Sequence, residues 1–476
     1  MDYINKILCG NDLEILPQLP AESVSCMTTS PPYWGLRDYG IESVIWDEDK
    51  NCKHIWGNKI IIKSYGNVGT HPNVGSQKID AMKGSENKGQ FCQKCGAWKG
   101  SLGLEPTFEL YIKHLCDIFD EVKRVLRKDG CIFVNLGDTY NSHSAKSKNV
   151  GGFEGKQMRN NQAYSDSKIA PKKVGVPDKS LCDIPYRFSI EMINRGWIKR
   201  NTIIWHKPNC MPSSAPDRFT VDFEYLFFFT KNNKTLFWTN EKTLECVSKK
   251  PPGTKGVKGK DWRWGLNSKG KPKRISFWTG HDYWFEQQFE ETTAKVIEPR
   301  MLREEKRRTY NGKYPNAGVI RSMNRNKRSV WTIPTQPFPE AHFAVYPEGL
   351  IEIPIKAGCP EFICKKCGKA RVRILEPTEE YKKYLGQENL EEHHAGQETK
   401  TKFKVKTNAE YKFRGYSDCG CGAGWESGIV CDPFMGAGTS ALVALKQRKR
   451  FIGIEIKQEY IDMSYKRISK VQQRIF

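Results

Sequence analysis

The stretch IVCDPFMGAGTSALVAL, residues 429–445, predicts a short buried strand, a glycine-rich turn and a helix that opens at Thr439 or Ser440. Glycines let the backbone approach a ligand closely, and the first turn of a helix offers unpaired N–H groups. The following segment RFIGIEI, residues 450–456, predicts the next strand, which ends in an acid, Glu455, that suits a ribose diol. This order of elements predicts a nucleotide-type site. The residues expected to form it are Asp432, Pro433, Phe434, Gly436, Gly438, Thr439 and Glu455.

A second motif, TSPPYW at residues 29–34, follows a run, VSCMT at 24–28, that predicts another buried strand. Each proline fixes φ and removes a donor, so the strand must end in a rigid, extended loop. Such a loop exposes the Ser30 hydroxyl and the Pro31 carbonyl beside an aromatic side chain, an arrangement that fits a planar group bearing an amine. A lone Pro-Pro pair is ordinarily a surface loop, but the glycine-turn motif in the same chain favours a ligand site.

Together these motifs resemble those of the DNA amino-methyltransferases that use S-adenosylmethionine, in the permuted, beta-type class whose catalytic motif precedes its cofactor motif. Ser-Pro-Pro-Tyr is more typical of cytosine 4-amino methylation, whereas adenine enzymes usually carry an acid or Asn before Pro-Pro. Other stretches also resemble family landmarks. They are Gly10–Leu13, Leu19-Pro20, Gly103–Thr107, Asn135–Tyr140, Trp205–Pro208 and Ser329–Trp331.

The resemblance implies roles for particular residues. The catalytic set would be Ser30, Pro31, Pro32 and Tyr33. Ser30 and the Pro31 carbonyl would accept the two protons of the target amine, while Tyr33 would stack on a base flipped from the duplex. His342 belongs to a segment similar to the one that clasps the methionine end of the cofactor. Where the family usually has Gly-Asp this chain has Gly10-Asn11, so either Asn11 or Asp12 is expected to contact the cofactor adenine.

Three functions are compatible with these motifs. The first is methyl transfer to the 4-amino group of cytosine in double-stranded DNA, and the second is adenine 6-amino methylation. The third, from another class, is a zinc-stabilised DNA-binding protein without catalysis, which the pairing of both motifs disfavours. The chain has no Pro-Cys dipeptide of the type used by carbon-5 cytosine methyltransferases. The resemblance also leaves open a cognate restriction endonuclease as a partner.

Composition favours a polyanion-binding protein inside the cell. The 476 residues suggest two to three domains, or one large catalytic domain with insertions, and the formal net charge is +23. Charge alone would equally suit RNA or an anionic membrane surface. No stretch approaches the roughly 18 apolar residues that span a bilayer, and no signal-peptide pattern opens the chain, so we expect a soluble, cytoplasmic protein without membrane contact.

The cysteines predict two structural zinc sites. Sixteen cysteines in an intracellular chain indicate buried thiols and metal ligands rather than disulfides. Each C-x-x-C-G turn supplies two sulfurs, and a tetrahedral zinc ion needs four N or S ligands. The expected ligands are Cys52, His54, Cys92 and Cys95 at the first site, and Cys364, Cys367, Cys419 and Cys421 at the second. For the first set, unliganded buried thiols are the alternative.

The order of helices and strands predicts an α/β fold with a doubly wound, mostly parallel sheet covered on both faces, as in Rossmann-like methyltransferases. Inserted zinc-binding and DNA-recognition modules complete the expected organisation. It assigns 1–45 and 102–238 to the catalytic half, 46–101 to a zinc-binding insertion, 141–177 to a mobile loop, 239–328 to target recognition, and 329–476 to the cofactor half with a zinc-binding hairpin at 359–421.

The segment 239–328 carries the predicted contacts with DNA. Basic residues interleave there with Trp, Tyr and Phe, and basic side chains neutralise phosphates while aromatic ones pack a module or wedge at bases. The expected DNA-binding residues are Lys255, Lys258, Lys260, Arg263, Lys273 and Arg274. A solvated basic face over a small aromatic core is the alternative interpretation.

Overall fold

The computed structural model describes residues 3–475 apart from 36–42, 64–85, 142–174, 178, 214, 233–237, 240–245, 248–263, 267–271, 275–282, 292–323, 337–344, 378–389, 392–401 and 404–410. The chain divides into two compact units. Unit 1 comprises Met1–Leu236, Val330–Cys359 and Ile429–Phe476, and unit 2 comprises Phe237–Ser329 and Pro360–Gly428. The segment that carries the second cysteine set therefore groups with the segment expected to recognise DNA.

Both motifs of the sequence analysis lie in unit 1. Its strands are β1 Lys6–Cys9, β2 Val24–Thr29, β3 Val44–Trp46, β4 Ile60–Lys63, β5 Glu86–Phe91, β6 Trp98–Gly100, β7 Leu126–Leu136, β8 Ile198–His206, β9 Phe223–Thr230, β16 Val330–Thr332, β23 Ile429–Asp432 and β24 Arg450–Glu455. Its described helices are α1 Asp12–Ile15, α2 Phe108–Val125, α3 Ile184–Asn194, α4 Glu348–Gly358, α5 Thr439–Lys446 and α6 Gln458–Ile475, with a 3-10 turn at Leu16–Gln18.

The main sheet has eight strands in the order β1-β24-β23-β2-β7-β9-β8-β16. The first five strands in this order are parallel to one another. Strand β9 is antiparallel to both β7 and β8, and β16 is parallel to β8. The predicted mostly parallel sheet is thus confirmed, with β9 as its reversed strand. The glycine turn and the Ser-Pro-Pro loop follow two adjacent strands, β23 and β2, and so leave the sheet at the same edge.

Helices cover both faces of this sheet, and the alternation along β7 shows how. Ile132 and Val134 belong to the buried cluster that contains residues of α2 and α3. Cys131 and Phe133 point to the other face of the sheet. A Cβ added to Gly358, the last residue of α4, would lie 2.5 Å from Cys131 Sγ and 3.0 Å from the Phe133 ring. The prediction of a sheet covered on both sides is confirmed.

The long helix α2 shows how the local sequence determines the bounds of an element. Thr107 caps its start by accepting a hydrogen bond from the Leu110 N–H at 3.3 Å. Apolar residues at helical spacing bury one face, including Leu115, Phe119 and Val122, and the helix ends where the chain enters β7.

The insertion at 46–101 contributes a small antiparallel sheet in the order β3-β6-β5-β4. Trp98 of β6 is almost completely buried, and a side chain on Gly100 would collide with its ring. The insertion is therefore anchored by tryptophan packing as well as by strand pairing.

Unit 2 is built from short antiparallel pairs. Its described strands are β10 Trp238–Thr239, β11 Cys246–Val247, β12 Trp264–Leu266, β13 Pro272–Arg274, β14 Phe289–Glu291, β15 Asn324–Asn326, β17 Ile363–Cys364, β18 Arg373–Pro377, β19 Leu390–Glu391, β20 Lys402–Phe403, β21 Tyr411–Tyr416 and β22 Trp425–Glu426. The pair β18 and β21 forms the arms of the predicted hairpin, with a register shift between Ile374 and Leu375. The Trp284 indole N–H donates to the Arg371 carbonyl at 3.1 Å, and Arg373 pairs with Glu286 at 2.8 Å. Residues 283–286 and 371–373 are thereby joined inside this unit.

No helix among the described residues is long and apolar enough to cross a membrane. The segment 141–177, expected to be a mobile loop, lies almost entirely outside the described residues.

Candidate active site

The candidate site lies at the edge of the main sheet where the parallel strands end. Ser30 follows β2, while Asp432 and Glu455 end β23 and β24. Because β9 runs antiparallel to β7, its beginning reaches this same edge and brings Glu224 there. We distinguish two parts of the site. The acidic corner consists of Asp12, Asp432, Gly436 and Glu455, and the Tyr33 pocket consists of Ser30, Tyr33, Asn135, Lys207 and Glu224.

Asp432 is the structural centre of the acidic corner. Its Oδ1 accepts from the Thr29 hydroxyl at 2.6 Å and from the Phe434 N–H at 3.0 Å. Its Oδ2 accepts from the Ser440 hydroxyl at 2.6 Å and from the Tyr346 hydroxyl at 3.1 Å. Burial raises the pKa of Asp432 against the effect of these donors. The carboxylate therefore ties β2, β23, α5 and the start of α4 together, and its acceptor positions are taken up by the protein itself.

The two glycines of the turn have different surroundings. Gly436 has φ +51°, and a Cβ there would meet nothing closer than the Phe434 carbonyl oxygen at 3.9 Å. Gly438 has φ +76°, and a Cβ there would lie 2.7 Å from the Cβ of Ser464 in α6. Gly436 leaves open space at the turn, whereas Gly438 allows α6 to pack against it.

The other acids of the corner are less satisfied than Asp432. Glu455 accepts from the Gly436 N–H at 2.8 Å and from the Lys457 N–H at 3.0 Å, yet burial raises its pKa. Asp12 is buried, and its Oδ1 has no hydrogen-bond partner among the described residues. Burial, then the charges of Glu455 and Asp432, raise the pKa of Asp12 well above its usual value. A ligand that brings donors or positive charge would stabilise this group of acids.

Neighbouring residues of the predicted cofactor set serve the protein's own structure. The Asn11 side chain accepts from the Leu13 N–H at 3.2 Å and caps α1. Thr439 begins α5, as predicted, and its hydroxyl accepts from Arg467 at 3.1 Å. Pro433 is buried and Phe434 packs on the core. His342 lies outside the described residues.

The Ser-Pro-Pro-Tyr loop is anchored from behind. The Pro32 carbonyl accepts from the Tyr111 hydroxyl at 2.7 Å, and the buried Trp34 indole donates to the Glu105 carbonyl at 2.9 Å. The Tyr33 ring lies against Gly137, where any Cβ would approach it to 2.7 Å. These contacts fix the loop as a rigid extension of β2, as the prolines predict.

Glu105 joins that loop to the insertion. Its carboxylate accepts from the Gly103 N–H at 2.8 Å and faces the buried His114 ring nitrogen Nδ1 at 3.1 Å. The His114 ring is stacked between Trp46 and Trp98 of the inserted sheet, at centroid distances of 4.6 and 5.6 Å. The inserted sheet thus packs directly behind the residues that anchor the Ser-Pro-Pro-Tyr loop.

The Tyr33 pocket is a connected network of hydrogen bonds. The Tyr33 hydroxyl lies 2.7 Å from Glu224 Oε2 and 3.0 Å from Asn135 Oδ1. The Ser30 hydroxyl lies 3.3 Å from Asn135 Oδ1 and 3.4 Å from the Tyr33 oxygen. Lys207 donates to Glu224 Oε1 at 2.8 Å. Hydroxyls, an amide and an ion pair therefore converge where Ser30 leaves the sheet.

Comparison with known proteins identifies the family to which the chain belongs. Residues 24–362 and 425–466 match the family described as DNA methylase, which is most of the chain. The chain belongs to the DNA methylase family. It is an S-adenosylmethionine-dependent methyltransferase of DNA amino groups, as the two motifs predict.

Individual relatives are distant but extend over nearly the whole chain. The type II methyltransferase M.XycI of Xanthomonas campestris pv. cyanopsidis is 25% identical, over 96% of this chain and 86% of its own. The type II methyltransferase M.SmaI of Serratia marcescens is 23% identical, over 97% and 90% respectively. Among solved structures, the PvuII DNA methyltransferase (cytosine-N4-specific) is 15% identical and covers 98% of this chain and 91% of its own, at a TM-score of 0.38. That likeness is too weak to bear on the site.

Sequence patterns missed part of this methylase's site. Glu224 is the second residue of β9, immediately before the apolar run at 225–229, and nothing in that run reveals that the strand is reversed. Asn135 and Lys207 lie within family-like stretches, but no role was assigned to either. Tyr346 follows the predicted clasp residue His342 by four positions and contacts Asp432. The signal that could have pointed to Glu224 was an acid near the start of an otherwise apolar strand.

The structure brings each predicted set of metal ligands together. In each set the four ligand atoms lie within 4.8 Å of one another. At the first set, Cys95 Sγ is 3.4 Å from His54 Nδ1, and Cys52 Sγ is 3.9 Å from Cys92 Sγ. Desolvation opposes ionisation of Cys92, but backbone N–H groups of the turn and the His54 ring lower its pKa to about 5.

The second set has the same turn chemistry. The Cys367 backbone N–H is the main cause that lowers the pKa of Cys364 to about 6. The positive φ values of Gly368 and Gly420 fit tight turns after the cysteines. Turns that favour thiolates, with four ligand atoms converging, are suited to a tetrahedral metal ion.

The predicted DNA contacts are only partly within the described residues. Lys255, Lys258, Lys260 and Arg263 lie outside them. Lys273 and Arg274 lie on β13, which pairs with β12, and only their backbone is described.

Proposed function

We propose that this methylase transfers a methyl group from S-adenosylmethionine to the exocyclic 4-amino group of cytosine in duplex DNA. The observation that carries the proposal is the hydroxyl of Ser30 at the head of the Pro-Pro-Tyr motif, held within 3.4 Å of two polar partners in the Tyr33 pocket. Family resemblance places Ser at this position more often in cytosine than in adenine enzymes. The formal net charge of +23 supports a duplex polyanion as the substrate.

The acidic corner fits the cofactor. The unpartnered Oδ1 of Asp12 would accept from one of the cofactor's amino groups, and Glu455 would accept from its ribose. Asp12 is favoured over Asn11 because the Asn11 side chain already caps α1. The open side of Gly436 leaves room for a ligand against the turn. The cofactor, when bound, supplies an electrophilic methyl group on a cationic sulfur.

The Tyr33 pocket would hold the target amine. The lone pair of a cytosine amino nitrogen is delocalised into the ring, so acceptors that hold both protons favour the pyramidal form that can attack. The Ser30 hydroxyl and the Pro31 carbonyl would be these acceptors, with Pro32 and Tyr33 fixing the loop through their contacts with Tyr111 and Glu224. Such pre-positioned acceptors act mainly on the transition state.

We further propose that the two four-ligand sets bind structural zinc. The first, Cys52, His54, Cys92 and Cys95, would stabilise the insertion behind Glu105, and the second, Cys364, Cys367, Cys419 and Cys421, would close the base of the β18–β21 hairpin. Elemental analysis should find about two zinc ions per chain. Cys92→Ser and Cys419→Ser should each remove one, and Cys9→Ser, an exposed thiol outside both sets, should remove neither. Zinc-free protein with an unchanged melting temperature would contradict this proposal.

The DNA-facing part of the proposal assigns target recognition to 239–328. Contacts from lysines and arginines there would give most of the affinity, with a strong dependence on salt. We place its action in the cytoplasm, where DNA and the cofactor meet. The proposal includes a partner endonuclease only because the similar proteins are type II methyltransferases.

The decisive experiment identifies the methylated base. Unmethylated genomic DNA is incubated with the protein and S-adenosylmethionine and digested to nucleosides, and the products are separated by chromatography with mass detection against N4-methyl, C5-methyl and N6-methyl standards. N4-methylcytosine is the expected product. N6-methyladenine would favour the second candidate function, and DNA binding without methylation would favour the non-catalytic alternative. Reactions without cofactor, and with Gly436→Val, are the controls.

A further inference from the structure

Glu224 is a largely covered carboxylate at the edge of the main sheet. The reaction proposed above gives it no role. We infer that Glu224 takes up the proton released by the target amine, through the hydroxyls of Tyr33 and Ser30. The inference rests on the proposed function in one respect, that the substrate is an amine. It applies to cytosine and adenine amino groups alike.

The partners of the network fix the direction of its hydrogen bonds. A carboxylate can only accept, so the Tyr33 hydroxyl donates to Glu224 Oε2 at 2.7 Å. The Asn135 amide group donates to Glu224 Oε2 and to the Tyr225 carbonyl, which leaves its Oδ1 as an acceptor. The Ser30 hydroxyl then donates toward Tyr33 and Asn135, at 3.4 and 3.3 Å. Both lone pairs of Ser30 are thereby available to an incoming N–H.

Two groups hold Glu224 in this position. Lys207 donates to Oε1 at 2.8 Å, so Oε2 is left for Tyr33 and Asn135. Both members of the ion pair are largely covered, with exposed side-chain fractions of 17% for Lys207 and 19% for Glu224. The carboxylate is fixed in direction yet retains access to water, where it can release a proton after turnover.

The proton balance of the step is complete. The amine lone pair forms the new N–C bond, the C–S bond breaks, and its electron pair stays on sulfur. The nitrogen, now cationic, gives one proton to Ser30, whose own proton passes to Tyr33, and the Tyr33 proton passes to Glu224. Ser30 and Tyr33 are regenerated, and the carboxylate becomes a neutral carboxyl group. Glu224 does not touch the amine. It positions the Tyr33 hydroxyl and holds the released proton until that proton passes to water.

The test compares three variants in single-turnover methylation of duplex DNA. Glu224→Gln keeps the size and one acceptor oxygen but cannot take a proton, so the transfer rate should fall about 100-fold. Affinities for cofactor and duplex DNA should stay unchanged, because neither is bound by Oε2. Glu191→Gln is the matched control, since it removes a carboxylate from an ion pair of 2.9 Å with Arg195 at the end of α3, and it should keep the wild-type rate.

A third variant distinguishes proton uptake by Glu224 from a purely structural role of its side chain. Glu224→Ala leaves a space of carboxylate size beside Lys207, and added formate should restore part of its rate. Formate should not restore the rate of Glu224→Gln, whose side chain fills that space. If Glu224→Ala lowers the melting temperature, the Gln variant decides alone. Wild-type transfer by Glu224→Gln, or absence of formate rescue in a folded Ala variant, would overturn the inference while leaving the nucleoside product of the wild-type protein, and hence the proposed function, unaffected.

Discussion

The acidic corner and the Tyr33 pocket lie at one sheet edge but are assembled in opposite ways. Three members of the acidic corner, Asp432, Gly436 and Glu455, come from a single strand–turn–helix–strand unit. The Tyr33 pocket draws on β2, β7, β8 and β9, whose contributions lie between Ser30 and Glu224 in the sequence. A site made by one contiguous unit is visible as a motif, whereas a site made by strand order is visible only once the sheet is known.

The two parts also differ in charge. In the acidic corner three carboxyl groups have pKa values raised by burial, and within the described part of the chain no basic side chain is among their hydrogen-bond partners. In the Tyr33 pocket the single carboxylate is paired with Lys207. The corner is suited to a ligand that brings donors and positive charge, and the pocket is suited to a group that gives up a proton.

The largest expected effect tests whether Asp432 is structural. Asp432→Ala leaves several buried donors without an acceptor, at roughly 1–3 kcal/mol each, so the free energy of unfolding should fall by about 3–5 kcal/mol. Glu224→Gln, at the water-accessible edge of the Tyr33 pocket, should change it by less than about 1 kcal/mol. Urea unfolding of both variants measures the difference. Equal losses would mean that the two carboxylates are equally structural.

The next effect concerns the chemistry of the Tyr33 pocket. Ser30→Ala removes the acceptor that we propose for the target amine and should raise the barrier to methyl transfer by about 2–4 kcal/mol. Affinity for duplex DNA should hardly change, because it comes from distributed basic residues. Single-turnover rates and salt-titrated binding are measured on the same variant, with Ser23→Ala, a half-buried serine just before β2, as the control. A normal rate would make the loop a docking element.

These contrasts explain how much the sequence could predict. The strand and helix order from residue 429 to 455, the end of β2, and both cysteine sets followed from local pattern and spacing, since each depends on neighbours in the chain. Glu224 did not, because its role depends on β9 being reversed, and a run of apolar residues has no direction. Nor could glycine spacing distinguish Gly436 from Gly438, since only the packing of α6 makes Ser464 the neighbour of the latter.

A smaller effect is expected for cofactor affinity. Glu455→Ala removes the charge-assisted hydrogen bond that we propose between this residue and the cofactor, and it should weaken cofactor binding by about 1.5–3 kcal/mol. Because Glu455 also holds the Gly436 N–H, the loss includes a looser turn. Calorimetric titration with S-adenosylmethionine measures it, with the exposed Glu459→Ala in α6 as the control. Unchanged affinity would remove Glu455 from the site.

The smallest effect is the contribution of the acidic corner to the dependence of stability on pH. Burial, and then the charges of Glu455 and Asp432, raise the pKa of Asp12 well above its ordinary value of 3.8. The native cofactor-free protein therefore keeps a proton that the unfolded chain has released, so its free energy of unfolding falls as the pH rises from about 4 through the raised pKa. Asp12→Asn should flatten this slope in part, because Asp432 and Glu455 contribute with the same sign.

Cofactor binding gives the same prediction a direct readout. A donor or a positive charge placed against Asp12 would lower its pKa again, so binding should release up to about one proton from this residue. Titration calorimetry in buffers of different ionisation enthalpy counts that proton. Asp12→Asn should release fewer protons and bind the cofactor more weakly, while Glu224→Gln should release as many as the wild type. Equal proton release by the wild type and Asp12→Asn would mean that the unpartnered oxygen of Asp12 faces something other than the cofactor.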